Sequence, residues 1–405
     1  SESYLYTAEM IQESLEHLSD GGILAMQFGE FAYERKPNRT ARYVATARLA
    51  LERLGAREVG RHLLVATSPA FIQLSTILVK RSPFTGAEVE RFLENTRRIP
   101  GAIPRHAPGQ RLDDGAVNRI LSLSSEALPA WYASHPDDVA PISDDAPFFW
   151  HFARFGSVLR SFFEPLPGVD PQDSIGERLL LVLAAVAAIF AGTFLLLPFV
   201  AIRETWAALP HKARSFGLFA AIGSGFMFYE IALIQKLVLF LGYPTYSLTV
   251  TLMSLLVSTG IGSLATARYS GRSGRKIAAL FGAIGLLTLF YQYGMGALTE
   301  ALLGAPLRVR AVAAAAMLAP LGFTLGAFMP LGLSRLAVST RHREAYVAWG
   351  WAVNGFFSVI GSVLTTVLSM SYGFRVVMFL GLASYALAAA LLYSLPSRAA
   401  VADGT

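Results

Sequence analysis

The chain has 405 residues, 54% of them hydrophobic and 15% charged, with a mean hydropathy of +0.47, values of a multi-span membrane protein rather than a soluble globule. Residues 1–177 hold 18 Lys and Arg against 23 Asp and Glu, a net −5, whereas residues 178–405 hold 16 against 5, a net +11, so the pI near 9.5 comes from basic loops between apolar spans and not from a nucleic-acid-binding surface. There is no Cys, which excludes disulfides, thiolate metal ligands and cysteine nucleophiles.

The chain opens on Ser1 without a signal peptide, as if cut from something longer. Met10, Ile11, Leu15 and Leu18 stand at helical spacing over 8–18, and Asp20-Gly21-Gly22 stops that helix. Residues 23–28 predict a buried strand, 41–55 an amphipathic helix closed by Gly55, 62–68 and 74–82 further strands, and 85–99 a helix. This β-α-β order with continuous apolar strands implies an α/β layer with a largely parallel sheet. About three strands are visible where a doubly wound domain needs five or more, so 1–99 predicts the C-terminal half of a Rossmann-like domain. Residues 100–177 predict a loop-rich connector with one helix around 115–128. The aromatic stretch 147–163, with Arg154 and Arg160, fits a core helix or, just before the membrane part, an interfacial one, and the density of rings favours the interface.

Apolar stretches of spanning length recur at 178–201, 215–241, 245–267, 277–298, 309–333, 346–370 and 376–395, seven in all, ahead of a polar tail at 396–405. The fold class expected is a membrane α-helical bundle of about seven transmembrane helices, preceded by a partial α/β Rossmann-like, methyltransferase-type domain. Small residues inside the spans, including Gly322 and Gly326 at GxxxG spacing, predict close helix packing. Gly260 and Gly262 lie in an apolar span and suit helix packing better than phosphate binding.

No GxGxxG, Walker A, HExxH or GxSxG pattern occurs, and the seven His are scattered without metal-ligand spacing, so no metal site is assigned. Asp144-Asp145 before Ala-Pro suits a solvated turn. Asn38-Arg39-Thr40 matches a glycosylation triplet, a pattern common by chance.

The stronger candidates are polar groups inside spans: Glu230, Gln235, Lys236 and Asn354. A charge at the centre of a membrane helix costs about 2.5–3.5 kcal/mol on insertion scales. Glu230 and Lys236 are six residues apart, about 240° around a helix, so they cannot pair along one face. Lys236 can snorkel toward the headgroups near Gly242. Glu230 is too central for that, which leaves protonation, a polar partner such as Asn354, or a wet cavity. The readings open are a hydrogen bond between helices and a substrate or proton site.

The stretch "SESYLYTAEMIQESLEHLSDGGILAMQFGE" (1–30) resembles the spermidine synthase segment after the catalytic-Asp strand, and "ISDDAPFFWHF" (142–152) the end of that domain in membrane-fused relatives. The membrane half resembles those membrane-fused spermidine synthase-like proteins through "FYEIALIQKLVLFLGYPTYSLTV", "APLGFTLGAFMPLGLSRL" and "WGWAVNGFFSVIGSVL". The resemblance implies aminopropyl or methyl transfer from decarboxylated S-adenosylmethionine, or S-adenosylmethionine itself, to an amine such as a polyamine or to another acceptor. It further implies a multi-pass protein of a bacterial inner or plasma membrane, with the lipid bilayer as partner and no metal or nucleic acid. The family's glycine-rich loop, ribose-binding acid and catalytic Asp have no counterpart in residues 1–405. What the resemblance leaves to border a substrate is Glu2, Ser3 and Tyr4 on a loop and Gln27 at a strand end. The alternative is a transporter or channel-like module with a degenerate or regulatory α/β part.

With seven spans, the loops 202–214, 268–276 and 334–345 share one side and carry most of the basic residues. The positive-inside rule sets that side in the cytoplasm and residues 1–177 outside. A sulfonium-dependent transferase belongs on the cytosolic side, where its donor is made, so the two arguments oppose each other. The loop charges predict that a cysteine placed at Ser270 stays unlabelled by a membrane-impermeant thiol reagent on intact cells; labelling there reverses the assignment.

Overall fold

The computed structural model describes residues 3–69, 72–110, 112–165, 174–197, 200, 203–207, 210–268, 274–336 and 343–395. The chain divides into two compact units, Ser1–Leu179 and Leu180–Thr405.

In the first unit, α1 (Ala8–His17) starts where the Thr7 side chain accepts from the Met10 amide, and it buries Ala8, Ile11 and Leu15 along one stripe. β1 (Ile23–Glu30) then alternates, sending Leu24, Met26 and Phe28 into the core. Helix α2 (Asn38–Arg53) is buried over most of its surface, with Ala41, Ala45, Ala47 and Ala50 admitting close neighbours. β2 (Leu63–Ser68) and β3 (Gln73–Lys80) form a hairpin, α3 (Gly86–Arg98) opens with a Thr85–Glu88 capping box, and β4 (Ile103–His106) is short. Two small helices follow, α4 (Ala116–Ser122) and α5 (Leu128–Ser134), and then α6 (Phe155–Arg160).

The sheet order is β1-β3-β2-β4, and every adjacent pair is antiparallel. This corrects the expectation of a largely parallel sheet. The link from β2 to β3 is too short for a crossover, so β3 folds straight back and enters between β1 and β2. Both are antiparallel to β3, so β1 and β2 point the same way, joined through α2. β4 was not foreseen; it is four residues long and carries Pro104, which restricts it to an edge.

A second correction concerns 147–163. Only Phe155–Arg160 is helical, and the preceding phenylalanines are core residues of an irregular segment: Phe149 and Phe152 are fully buried, and Phe149 stacks on Phe28 at 5.0 Å. Arg42 holds this segment in place. Its buried guanidinium donates to the Asp138, Phe148, Phe149 and His151 carbonyls, pairs with the Asp138 carboxylate at 3.1 Å and lies over the Phe152 ring. The buried rings follow the backbone that Arg42 clamps, while Trp150 and Phe163 stay exposed.

The described residues contain six helices long and apolar enough to cross a membrane, so the chain is a multi-pass membrane protein: Ile175–Leu195, Lys212–Lys236, Pro244–Thr266, Gly274–Ala301, Leu307–Leu336 and Arg343–Ser394. We label the helical cores α7 (Ile175–Ala191), α8 (Lys212–Lys236), α9 (Pro244–Arg268), α10 (Gly274–Leu289), α11 (Leu307–Gly326) and α12 (Arg343–Ser394). Two-thirds of the apolar window of α8 is buried, against 6% for the first span, so α8 is central and α7 peripheral.

The 52-residue α12 folds back on itself at Gly373, whose φ of 85° and ψ of 164° belong to a region other residues rarely enter. Gly223 abuts Asn354 and Ser358, and Gly361 abuts Ser224 and Met227, so the first limb, 343–372, runs parallel to α8. Gly225 abuts Ser384 and Tyr385, and Gly217 abuts Leu391, so the second limb, 374–394, runs antiparallel to it. At 1.5 Å per residue the limbs are about 45 and 31 Å long. Elsewhere the GxxxG pair works as expected: a side chain at Gly326 would collide with the Thr259 carbonyl, and one at Gly322 with Ser258. Gly262 packs likewise on Phe323, whereas Gly260 faces open space.

Gly373→Ala puts a β-carbon in that backbone region and is expected to cost about 1–3 kcal/mol. A lowered thermal midpoint of the detergent-purified protein checks this; an unchanged midpoint shows that the reversal does not depend on glycine.

Candidate functional site

The first unit brings the two ends of its sequence together. The Ser3 amide donates to the Pro147 carbonyl at 2.6 Å, Ala8 to Ile142, and the Thr7 hydroxyl to the Asp144 carboxylate at 2.6 Å. The Asp144 amide in turn donates to Glu9, which pairs with Arg53 at 2.8 Å. Asp144 is therefore not a solvated turn residue, because it closes the 140s loop onto the start of α1. Burial, with the negative charge of Glu9 adding to it, holds the Asp144 carboxyl above the usual carboxylate range against the opposing hydrogen bond from Thr7.

Of the residues expected to border a substrate, Glu2 lies outside the described residues. Tyr4 sits in the turn Tyr4–Tyr6 beside Ser3. Gln27 is not grouped with them: it lies mid-strand on the exposed sheet face, opposite to Phe28, and donates to Thr76 across the strand pair at 2.9 Å. Asn38 is buried at the start of α2, so the glycosylation triplet is closed to modification in the folded protein.

The more substantial arrangement stands at the C-terminal end of β1. Glu30 is fully buried and accepts from the Thr40 amide and hydroxyl, both at 2.8 Å, fixing the first turn of α2. Arg39 lies between the exposed rings of Phe31 and Trp150, each 5.5 Å away. Beyond Glu30 a cavity of about 380 Å³ is lined by Tyr33, Glu34, Asp113 and His135, among others. Arg105 organises its wall, pairing with Glu34 at 2.5 Å and stacking over Tyr33 at 4.4 Å. Burial pushes the Tyr33 phenol up, so it is a neutral donor at ordinary pH. A larger cavity of about 820 Å³, beside Gly60, Arg61 and His106, lies at the opposite end of the strands. Its size carries less weight than its position, because it lies away from Glu30 and the C-terminal end of β1.

In the second unit, Glu230 is buried in α8, and among the described residues it makes no hydrogen bond or ion pair. Asn354 is not its partner. The Asn354 amide donates to the Phe219 carbonyl at 3.4 Å and lies against Gly223, seven residues before Glu230 and therefore about 10 Å away along the helix axis. The parallel register of the first α12 limb puts it there. Lys236 is half-buried at the last residue of α8. The described residues contain no cluster of three or more acidic or His side chains suited to a metal.

Sequence reasoning missed Tyr33 and Glu34 and read Asp144 as part of a solvated turn. Their only sequence signal is polar residues just after a strand or before an aromatic run. No match is found among the models of known protein families, among curated proteins or among solved structures.

A raised native pKa means that the folded state holds the Asp144 proton more tightly than the unfolded chain. Stability from this group is thus largest below the unfolded carboxylate value of about 3.9 and falls as pH rises through the higher native value. Asp144→Asn is expected to remove that decline and to be the more stable form at neutral pH, where repulsion from Glu9 is relieved. Thermal midpoints of both proteins across pH 3–8 test this, and parallel pH curves refute it.

Proposed function

We propose that this chain is part of a membrane-fused spermidine synthase-like transferase in a bacterial inner or plasma membrane. Its first unit is the carboxy-terminal part of a Rossmann-like domain, and its second crosses the membrane seven times, with each limb of α12 a separate span. One observation carries this reading. β1 and β2 point the same way, linked through α2, while the outer edge of β1 pairs with no strand among the described residues and Ala25 and Gln27 beside it are exposed. An open edge beside an uncovered face is where further parallel strands and a covering helix pack.

The reaction class is transfer of an aminopropyl or methyl group from a sulfonium carbon to an amine: the C–N bond forms as the C–S bond breaks with its electrons to sulfur. No glycine-rich turn follows a described strand, so this chain's residues do not fit a complete donor site, and no step is derived through the donor. What they offer is an acceptor side. Asp113 at the cavity beyond β1 attracts a cationic amine, Glu34 offers the carboxylate lone pairs that Arg105 leaves open, and the neutral Tyr33 phenol can orient it.

A transporter is the second reading, favoured by the unpartnered carboxyl of Glu230 inside a span. Membranes bearing the full-length gene product, incubated with labelled decarboxylated S-adenosylmethionine or S-adenosylmethionine and putrescine, are expected to label the amine. Labelling should fall about tenfold or more in Glu34→Gln, if that carboxylate contributes on the scale of one charged hydrogen bond. Absence of transfer from either donor, with amine uptake by vesicles lacking any donor, overturns the proposal in favour of transport.

A further inference from the structure

Glu230 sits in a seam that offers acceptors. Residues 223, 227 and 230 fall on one stripe of α8, and this stripe faces the first limb of α12, where Gly223 meets Asn354 and Ser358 and Gly361 meets Met227. Continuing the parallel register by one turn sets Thr365 level with Glu230. Thr365 is fully buried and gives its hydroxyl proton to the Gly361 carbonyl at 2.7 Å. Ser358 does the same to Asn354 at 2.9 Å, and on α8 Ser224 to Ala220 at 2.7 Å. With each proton committed to its own helix, these oxygens turn lone pairs into the seam.

A second observation comes from α9. Ser247 donates to the Ile234 carbonyl, one turn past Glu230. One turn along α9 from Ser247, Thr251 is fully buried, and its hydroxyl oxygen has no hydrogen-bond partner. Two buried polar groups without partners thus stand on neighbouring helices near one level. Glu230 keeps 6% of its surface accessible, so the site is closed in but not sealed.

The surrounding charges decide which ligand fits. Residues 354–369 of α12 and 247–266 of α9 contain no titratable side chain. On α8 itself, the neighbouring Tyr229 hydroxyl is engaged with Thr288, and Lys236 lies six residues on. A divalent ion needs a second carboxylate, and these stretches hold none. One carboxylate and neutral oxygens match a single positive charge.

We propose that Glu230, with the hydroxyl oxygens of Thr365 and Thr251, binds one monovalent cation inside the membrane, an alkali ion or the ammonium end of an amine, in exchange for a proton. Entry of the cation releases the carboxyl proton, so the net charge of the site is the same in both states. The inference goes beyond the transferase reading and does not depend on it.

The test treats the full chain, reconstituted in liposomes, with dicyclohexylcarbodiimide. This apolar reagent adds a protonated carboxyl across its C=N bond: the carboxyl oxygen bonds to the central carbon, the proton passes to nitrogen, and rearrangement leaves a stable N-acylurea. Mass spectrometry is expected to find the adduct on Glu230 and to find none there in Glu230→Gln. Sodium, potassium or methylammonium at ten times its dissociation constant should slow the modification about tenfold. Thr365→Val should keep the adduct but weaken the protection. Protection by methylammonium and not by the alkali ions identifies an amine as the ligand; the reverse identifies an alkali ion. Modification of Glu230 at one rate in every cation, or no modification of Glu230 at all, overturns the proposal, and neither outcome bears on aminopropyl transfer.

Discussion

Most polar groups that leave water here find their partners inside the protein, and that requirement organises both units. In the first unit it concentrates on Arg42. A guanidinium has five N–H donors and no acceptor, so burying it calls for a set of carbonyls in a fan. The segment 138–152 supplies that fan from the Asp138, Phe148, Phe149 and His151 carbonyls, with the Asp138 carboxylate for charge balance. The path of the loop follows from these bonds. So does the burial of Phe149 and Phe152 against Phe28 and Tyr43, because the rings hang from the backbone Arg42 holds.

In the membrane part the same requirement acts with different chemistry. Ser and Thr hydroxyls return their protons to carbonyls one turn earlier on their own helices, as at Ser224, Ser358 and Thr365. Glycines let the backbones close in, and α8 receives one limb of α12 on each of two faces. This packing satisfies the helices but leaves acceptor-rich seams. Glu230 stands out because the Ser and Thr protons along this seam are already given to their own helices.

The two sites share a physical logic although they belong to separate units. At the C-terminal end of β1, Glu34 is paired by Arg105, which leaves a shaped polar wall with modest net charge. At Glu230 the carboxyl has no built-in counter-charge. The first arrangement suits orienting a cationic ligand from water, and the second suits exchanging a cation in a medium where an unpaired charge is costly.

Composition and periodicity alone determined that the chain is a multi-pass membrane protein behind an acidic α/β region. They also located α1, α2, α3, β1, β2 and β3 to within a few residues, because each is written in local spacing of apolar side chains and capping residues. Glu230 was legible as an anomaly for the same reason, a charge inside an apolar window. The direction of β3 was legible but misread, because the five residues between 62–68 and 74–82 are too few for a crossover; what the sequence left open is that β3 enters between its predecessors, since β-α-β order is the same either way. The burial of Phe148, Phe149 and Phe152 was not legible, since that depends on Arg42, more than a hundred residues away. Asn354 looked like a partner for Glu230 because both are polar residues in spans. Helix register separates them by two turns, and register between helices is set by which glycines meet which backbones, a property no single segment contains.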